Sequence, residues 1–190
     1  NMGEVYIKIR RLKQAVSAYE KAISFKPNFF QAYNQMGNSF LVLGDLDKAI
    51  CAYRKALLIK PDFVEALNNL GNTLLNQDKL YEAIDCYHKA ISLRPDFADS
   101  YNNLGNAFKD QGKLEDAIEA YTKAISLKPD YAEAHRNLSS IKKYTADDNH
   151  FRQIKEVAKR TDLCEDELCQ VNFALAKMYE DIGELAQAYN

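Results

Sequence analysis

The sequence has no surplus of positive charge: 25 Lys and Arg stand against 27 Asp and Glu, a net charge of −2. A nucleic-acid or membrane-surface footprint needs a basic excess, so neither partner is expected. Runs of about 18 apolar residues are missing, which excludes a membrane-spanning helix. No secretory leader is visible either, and the first residues read as the middle of an element, so further chain is expected upstream of Asn1. Cysteine is scarce and contains no CxxC pair. Cys51, Cys86, Cys164 and Cys169 read as reduced thiols of a cytoplasmic protein. Cys164, Cys169 and His150 follow no common zinc spacing, so no metal or other cofactor is expected. Phosphate loops, HExxH and GxSxG are also lacking, and no catalytic residue is expected in this chain.

Proline is rare, and its placement is informative. Pro27, Pro61, Pro95 and Pro129 are the only four, each 34 residues from the next. They close the matching phrases "ISFKPN", "LLIKPD", "ISLRPD" and "ISLKPD". Three whole units follow in register at 30–63, 64–97 and 98–131. Within the first, Tyr33, Met36, Gly37 and Phe40 share one helix face. After Gly44-Asp45, a second helical set runs through Leu46, Ala49, Ile50, Tyr53, Ala56 and Leu57. Gly44 and Gly112 suit a left-handed helix stop, and Asp78 takes that place less favourably. Proline ends the second helix by forcing the residue before it out of the helical region. Asp62, Asp96 and Asp130 are the expected N-caps of the next helices. Each unit is therefore a helix hairpin.

These hairpins resemble the tetratricopeptide repeat family. Leu70, Gly71, Ala83, Tyr87, Ala90 and Pro95 carry the likeness in the middle unit. Met36, Gly37, Ala49, Tyr53, Ala56, Pro61 and Leu104, Gly105, Ala117, Tyr121, Ala124, Pro129 repeat it on either side. The resemblance implies an all-α, right-handed superhelical solenoid of antiparallel helix pairs. It extends to a partial unit at 1–29, whose first helix is truncated, through Met2, Gly3, Tyr6, Ala15, Tyr19, Ala22 and Pro27. Beyond 131 the pattern weakens: Ser139 replaces the glycine, "TADDNH" is a polar break, and 132–168 reads as a degenerate helix pair. Ala176, Tyr179, Gly183 and Ala188 restore the signature, so 169–190 reads as one helix and the start of another. Leu175, Met178, Tyr179, Leu185 and Tyr189 would then form an apolar face awaiting a partner, through which the chain could self-associate.

Counting each first helix from Phe30, Val64 and Ala98, positions 4, 7, 8 and 11 pack inside the unit, with glycine at 8 for close approach. Positions 2, 5, 9, 12 and 13 point roughly 100–180° away; the resemblance makes that side the concave groove. Asparagine fills positions 5 and 9 as Asn34, Asn38, Asn68, Asn72, Asn102 and Asn106, and recurs at 6 as Asn69, Asn103 and Asn137. An amide both donates and accepts, so a column of them could hold a peptide backbone whatever its side chains. Alternatively, the amides hydrogen-bond neighbouring helices. The repeats of O-linked N-acetylglucosamine transferase are similar, and the likeness implies an asparagine ladder for an extended polypeptide. Six such bonds give about 6 kcal/mol at about 0.5–1.5 each, and ordering a peptide opposes them by about 2–5 kcal/mol.

Leu41, Leu75 and Lys109 are the candidate rim anchors. Glu65, Asp99 and Glu133 form an acidic strip that would favour a basic ligand, or simply serve the helix dipole. Asn34, Asn68 and Asn102 stand where carboxylate-clamp repeats need Lys or Arg, so that subclass is not expected. The expected function is a protein-interaction scaffold. The phrases "HRNLSSIKKY", "DDNHF" and "FALAKMYEDIGELAQAY" also resemble bacterial tetratricopeptide proteins that continue into a sulfotransferase domain. The alternative is therefore the binding arm of a larger transferase, a sulfotransferase before a glycosyltransferase. His88, His135 and His150 are expected to be structural or solvated.

Overall fold

The computed structural model describes residues 2–184. Among them lie ten α-helices and no strand. The chain forms two compact units, Asn1–Pro95 and Asp96–Asn190. The first holds α1 (Met2–Phe25), α2 (Phe30–Val42), α3 (Leu46–Ile59), α4 (Val64–Leu75) and α5 (Leu80–Leu93). Within it α2 pairs with α3 and α4 with α5, while α1 packs on α2 and α3 on α4. The second holds α6 (Ala98–Asp110), α7 (Leu114–Leu127), α8 (Ala132–Ile141), α9 (Asn149–Val157) and α10 (Glu165–Ile182). There α6 pairs with α7, α7 with α8, and α8 with α10.

The core of each pair is built from the repeated alanines and tyrosine of its second helix. Ala49, Tyr53 and Ala56, Ala83, Tyr87 and Ala90, and Ala117, Tyr121 and Ala124 are all fully buried. Small side chains bring the helices together, and the tyrosine ring fills the remaining gap. That ring lies over the glycine of the facing helix: a Cβ on Gly37, Gly71 or Gly105 would fall 2.5–2.6 Å from Cε1 of Tyr53, Tyr87 or Tyr121. Glycine at position 8 is thus required by a specific ring.

The tight turns need positive φ, as expected: Gly44 has φ 80°, Asp78 59° and Gly112 75°. Space is not the issue, since nothing lies within 4 Å of a Cβ built on Gly44 or Gly112. Asp78 therefore carries left-handed strain that its counterparts avoid. Asp78→Gly is expected to stabilise the chain by about 0.5–1 kcal/mol, after allowing for the freer unfolded chain. A rise in melting temperature of roughly 2 °C checks this.

Three expectations are corrected. Asp62, Asp96 and Asp130 are not N-caps; the caps are Phe63, Phe97 and Tyr131, without side-chain cap bonds. Each aspartate lies one residue earlier, in the turn after proline. In unit 1 the capping aromatic packs instead, Phe63 meeting Phe30 edge-on at 5.0 Å between ring centroids. Secondly, 2–25 is one helix rather than the end of a first helix and a second. Arg10 and Arg11 occupy the period's turn positions, and neither offers glycine's freedom or aspartate's cap.

The third correction concerns α10, which starts at Glu165, before the expected position. The Cys164 backbone N–H donates to the Glu167 carboxylate at 2.9 Å there. Three residues of the expected apolar face already pack within the chain: Met178 is fully buried with Val171 and Ala174 against Phe151, Ile154 and Val157 of α9, while Leu175 and Tyr179 pack beside them. The helix pair expected at 132–168 is not formed as such: α8 packs chiefly on α10 rather than on α9, where Lys155 stands in place of the tyrosine of the other pairs. Phe173 and Leu168 remain exposed on α10. Leu185, Ala188 and Tyr189 lie outside the described residues.

Candidate functional site

In unit 1, the amide of Asn69 on α4 donates to the side-chain oxygens of both Asn34 and Asn38 on α2, each at 3.2 Å. In unit 2, Asn137 on α8 donates likewise to Asn102 at 3.0 Å and Asn106 at 3.2 Å on α6. Position 6 of one helix thus bridges positions 5 and 9 of the first helix before it. The position-9 oxygen also accepts a tyrosine hydroxyl from its own pair: Tyr53 to Asn38 at 2.7 Å, Tyr87 to Asn72 at 2.6 Å and Tyr121 to Asn106 at 2.7 Å. Burial pushes the Tyr53 hydroxyl up to about 12 and Tyr121 further in the same direction. Both therefore remain donors, and the amide oxygens facing them must accept.

This network sorts the nine asparagines. Asn34, Asn68, Asn102 and Asn137 are buried. Asn102, 0% exposed, accepts from Asn137 and donates to Glu133 at 3.2 Å, so it faces neighbouring helices rather than a ligand. Asn38, Asn69, Asn72, Asn103 and Asn106 are half-buried. The Nδ2 of Asn38 donates to the side chain of exposed Gln35 at 3.0 Å. Those of Asn72 and Asn106 donate to no described residue, although their oxygens are engaged. A helical wheel puts position 5 on the groove side of its own helix but carries no information about the next helix, which covers it.

The acidic strip is largely occupied. Glu65 pairs with Arg94 at 2.8 Å. Glu133 accepts from Asn102, and Asp99 faces the Tyr131 hydroxyl, whose proton affinity burial and that carboxylate both raise. Leu41, Leu75 and Lys109 are half-buried, and Val42 beside Leu41 is exposed. Among the described residues no group of three His, Cys, Asp or Glu is placed to hold a metal ion.

One cluster was missed. His135 and His150, assigned singly from sequence, stack with ring centroids 4.9 Å apart and nitrogens 2.7 Å apart. His150 also meets the Tyr144 hydroxyl at 2.8 Å. The signal available was their 15-residue separation, which suits facing positions on two antiparallel helices.

The fold so described is an all-helical solenoid of antiparallel helix pairs. The tetratricopeptide repeat model matches residues 37–78, 72–112 and 105–140, and two further models of the repeat match 18–50 and 1–29. The chain belongs to the tetratricopeptide repeat family. Its fold is similar to a crystal structure of MamA, with a TM-score of 0.65 at 23% identity over 98% of each chain. It is similar also to MamA 41-end from Desulfovibrio magneticus RS-1, with a TM-score of 0.65 at 22% identity, covering 95% of this chain and 90% of that one. At such identity the likeness concerns the fold. None of the curated proteins matches the chain. No helix among the described residues is long and apolar enough to cross a membrane.

Proposed function

We propose that the chain is a protein-interaction scaffold whose first helices hold an extended polypeptide by its backbone, through the half-exposed position-9 amides Asn38, Asn72 and Asn106. The observation that carries this reading is the fixed orientation of Asn106: two donors occupy its oxygen, from Tyr121 and Asn137, so its Nδ2 turns away from both as an uncommitted donor. The Asn72 oxygen likewise accepts the Tyr87 hydroxyl. A peptide carbonyl is the complementary group. Three such bonds contribute about 3 kcal/mol, too little to order a peptide alone. Leu41, Val42 and Leu75 in unit 1 and Lys109 in unit 2 supply the remaining anchorage. The occupied acids weaken the case for a basic ligand. Self-association through α10 has Leu168 and Phe173 to use.

Asn72→Asp with Asn106→Asp tests the reading. Aspartate keeps the acceptor for Tyr87 and Tyr121 but removes the donor. Binding to peptides selected from an uncharged library is expected to fall roughly tenfold, as two hydrogen bonds are lost, with circular dichroism unchanged. Unaltered affinity would reduce the asparagines to ties between helices.

A further inference from the structure

We propose that the α8–α9 junction is a pH-sensitive latch, in which a buried hydrogen-bond chain from Tyr144 through His150 and His135 to the Pro129 carbonyl holds α9 on α8 at neutral pH and is broken by protonation. The direction of every bond follows from one end. A carbonyl can only accept, so His135 donates from Nε2 to Pro129 at 2.8 Å. In the neutral ring its Nδ1 must then accept, which makes His150 Nε2 the donor across the 2.7 Å contact. His150 Nδ1 in turn accepts from the Tyr144 hydroxyl at 2.8 Å. All three side chains are buried, so little solvent is at hand to replace a lost partner. Two neutral histidines satisfy the chain completely.

A first proton reverses the Tyr144 end and leaves the bond between the two rings in place. Both nitrogens of the charged ring become donors, and the Tyr144 hydroxyl hydrogen loses its acceptor. A second proton sets two N–H groups against each other at His135 Nδ1 and His150 Nε2. The surrounding charges give little relief. Lys142, at the end of α8, pairs with Asp148 at 2.7 Å and opposes a positive His150; Asp148, which caps α9, partly offsets it. Asp130, facing His135, is held by Arg160 at 2.6 Å. Asp181 on α10, facing Tyr144, is held by Lys177. From α7 the residues beside His150 are Thr122, Ile125 and Ser126, all uncharged.

Burial accordingly lowers the proton affinity of both rings, His150 to about 3. A depressed folded value means that the unfolded junction binds more protons. Stability is then fully present above the ordinary histidine value of about 6.5 and is lost as pH falls below it, continuing towards the folded values. Each ring lowers the closed-to-open ratio by up to about tenfold per pH unit in that window, so the pair reaches about a hundredfold.

Hydrogen exchange on the 190-residue chain at pH 7.5 and 5.0, scaled for intrinsic rates, tests this. Peptides covering 141–157 are expected to lose protection tenfold or more, while those covering 46–93 keep theirs. His150→Phe should halve the pH dependence, leaving only the share of His135; a folded variant that loses as much protection at pH 5.0 as the unaltered chain overturns the latch. Should that variant not fold at pH 7.5, the carbon-13 ring shifts of His135 and His150 in the unaltered chain decide. Neutral rings at pH 6.0, with charge appearing only as protection is lost, support the proposal. A charged ring in a junction that stays protected, or equal protection at both pH values, refutes it.

Discussion

Gly71→Leu is expected to lower the melting temperature by roughly 10 °C. A Cβ at position 71 would lie 2.5 Å from Cε1, 2.9 Å from Cζ and 3.0 Å from Cδ1 of Tyr87. The ring cannot swing aside freely, because it is fully buried and its hydroxyl is held by Asn72. Overpacking of this kind costs about 1–3 kcal/mol, and the displaced hydroxyl adds about 1 kcal/mol. For a chain of this length each kcal/mol is worth about 2–4 °C. Repeat units share interfaces with their neighbours, so the loss should extend into the adjoining pair rather than remain local. Differential scanning calorimetry reads the effect, and an unshifted transition would remove the ring-on-glycine account of position 8.

Asn137→Ala should destabilise the chain by about 2–3 kcal/mol in urea unfolding. The substitution deletes two donors at once. Asn102, which has no solvent access, loses the donor to its oxygen, and Asn106 keeps only Tyr121. Asn69→Ala is the matched comparison in unit 1. It also deletes two bonds, but Asn69 is half-buried and its partner Asn38 keeps Tyr53, so water can replace part of what is lost. A loss of about 1 kcal/mol is expected there. Equal effects would show that burial does not set the strength of these bridges.

Hairpins were legible because they are local and recur: proline spacing, the turn glycines and the close-approach glycine at position 8 all lie within one period. The misread features depend on what lies outside it. Asp130 has the right residue type for an N-cap, yet Tyr131 takes the cap and the aspartate pairs with Arg160, thirty residues away. Asn34 and Asn102 lie on the expected side of their helices, but the helix that reaches over them belongs to the next 34-residue repeat. Met178 belongs to an apolar face whose partner helix was expected beyond it, whereas it packs against α9 before it. His135 and His150 escaped notice because neither residue alone violates its surroundings; only their contact is unusual.

The asparagine bridges run one way along the chain. Asn69 in unit 1 and Asn137 in unit 2 each reach back to oxygens at positions 5 and 9 of the first helix before them, so a cassette such as 64–97 carries both halves of the bridge. A duplicate of 64–97 placed after Phe63 would find Asn34 and Asn38 waiting for its amide and would offer Asn68 and Asn72 to the next. After α8 the rule ends. Positions 5 and 9 there are Arg136 and Ser140, and Arg136 itself donates to Asn137 at 3.2 Å. This ladder can therefore lengthen from within, while its last rung has no amide oxygen to extend.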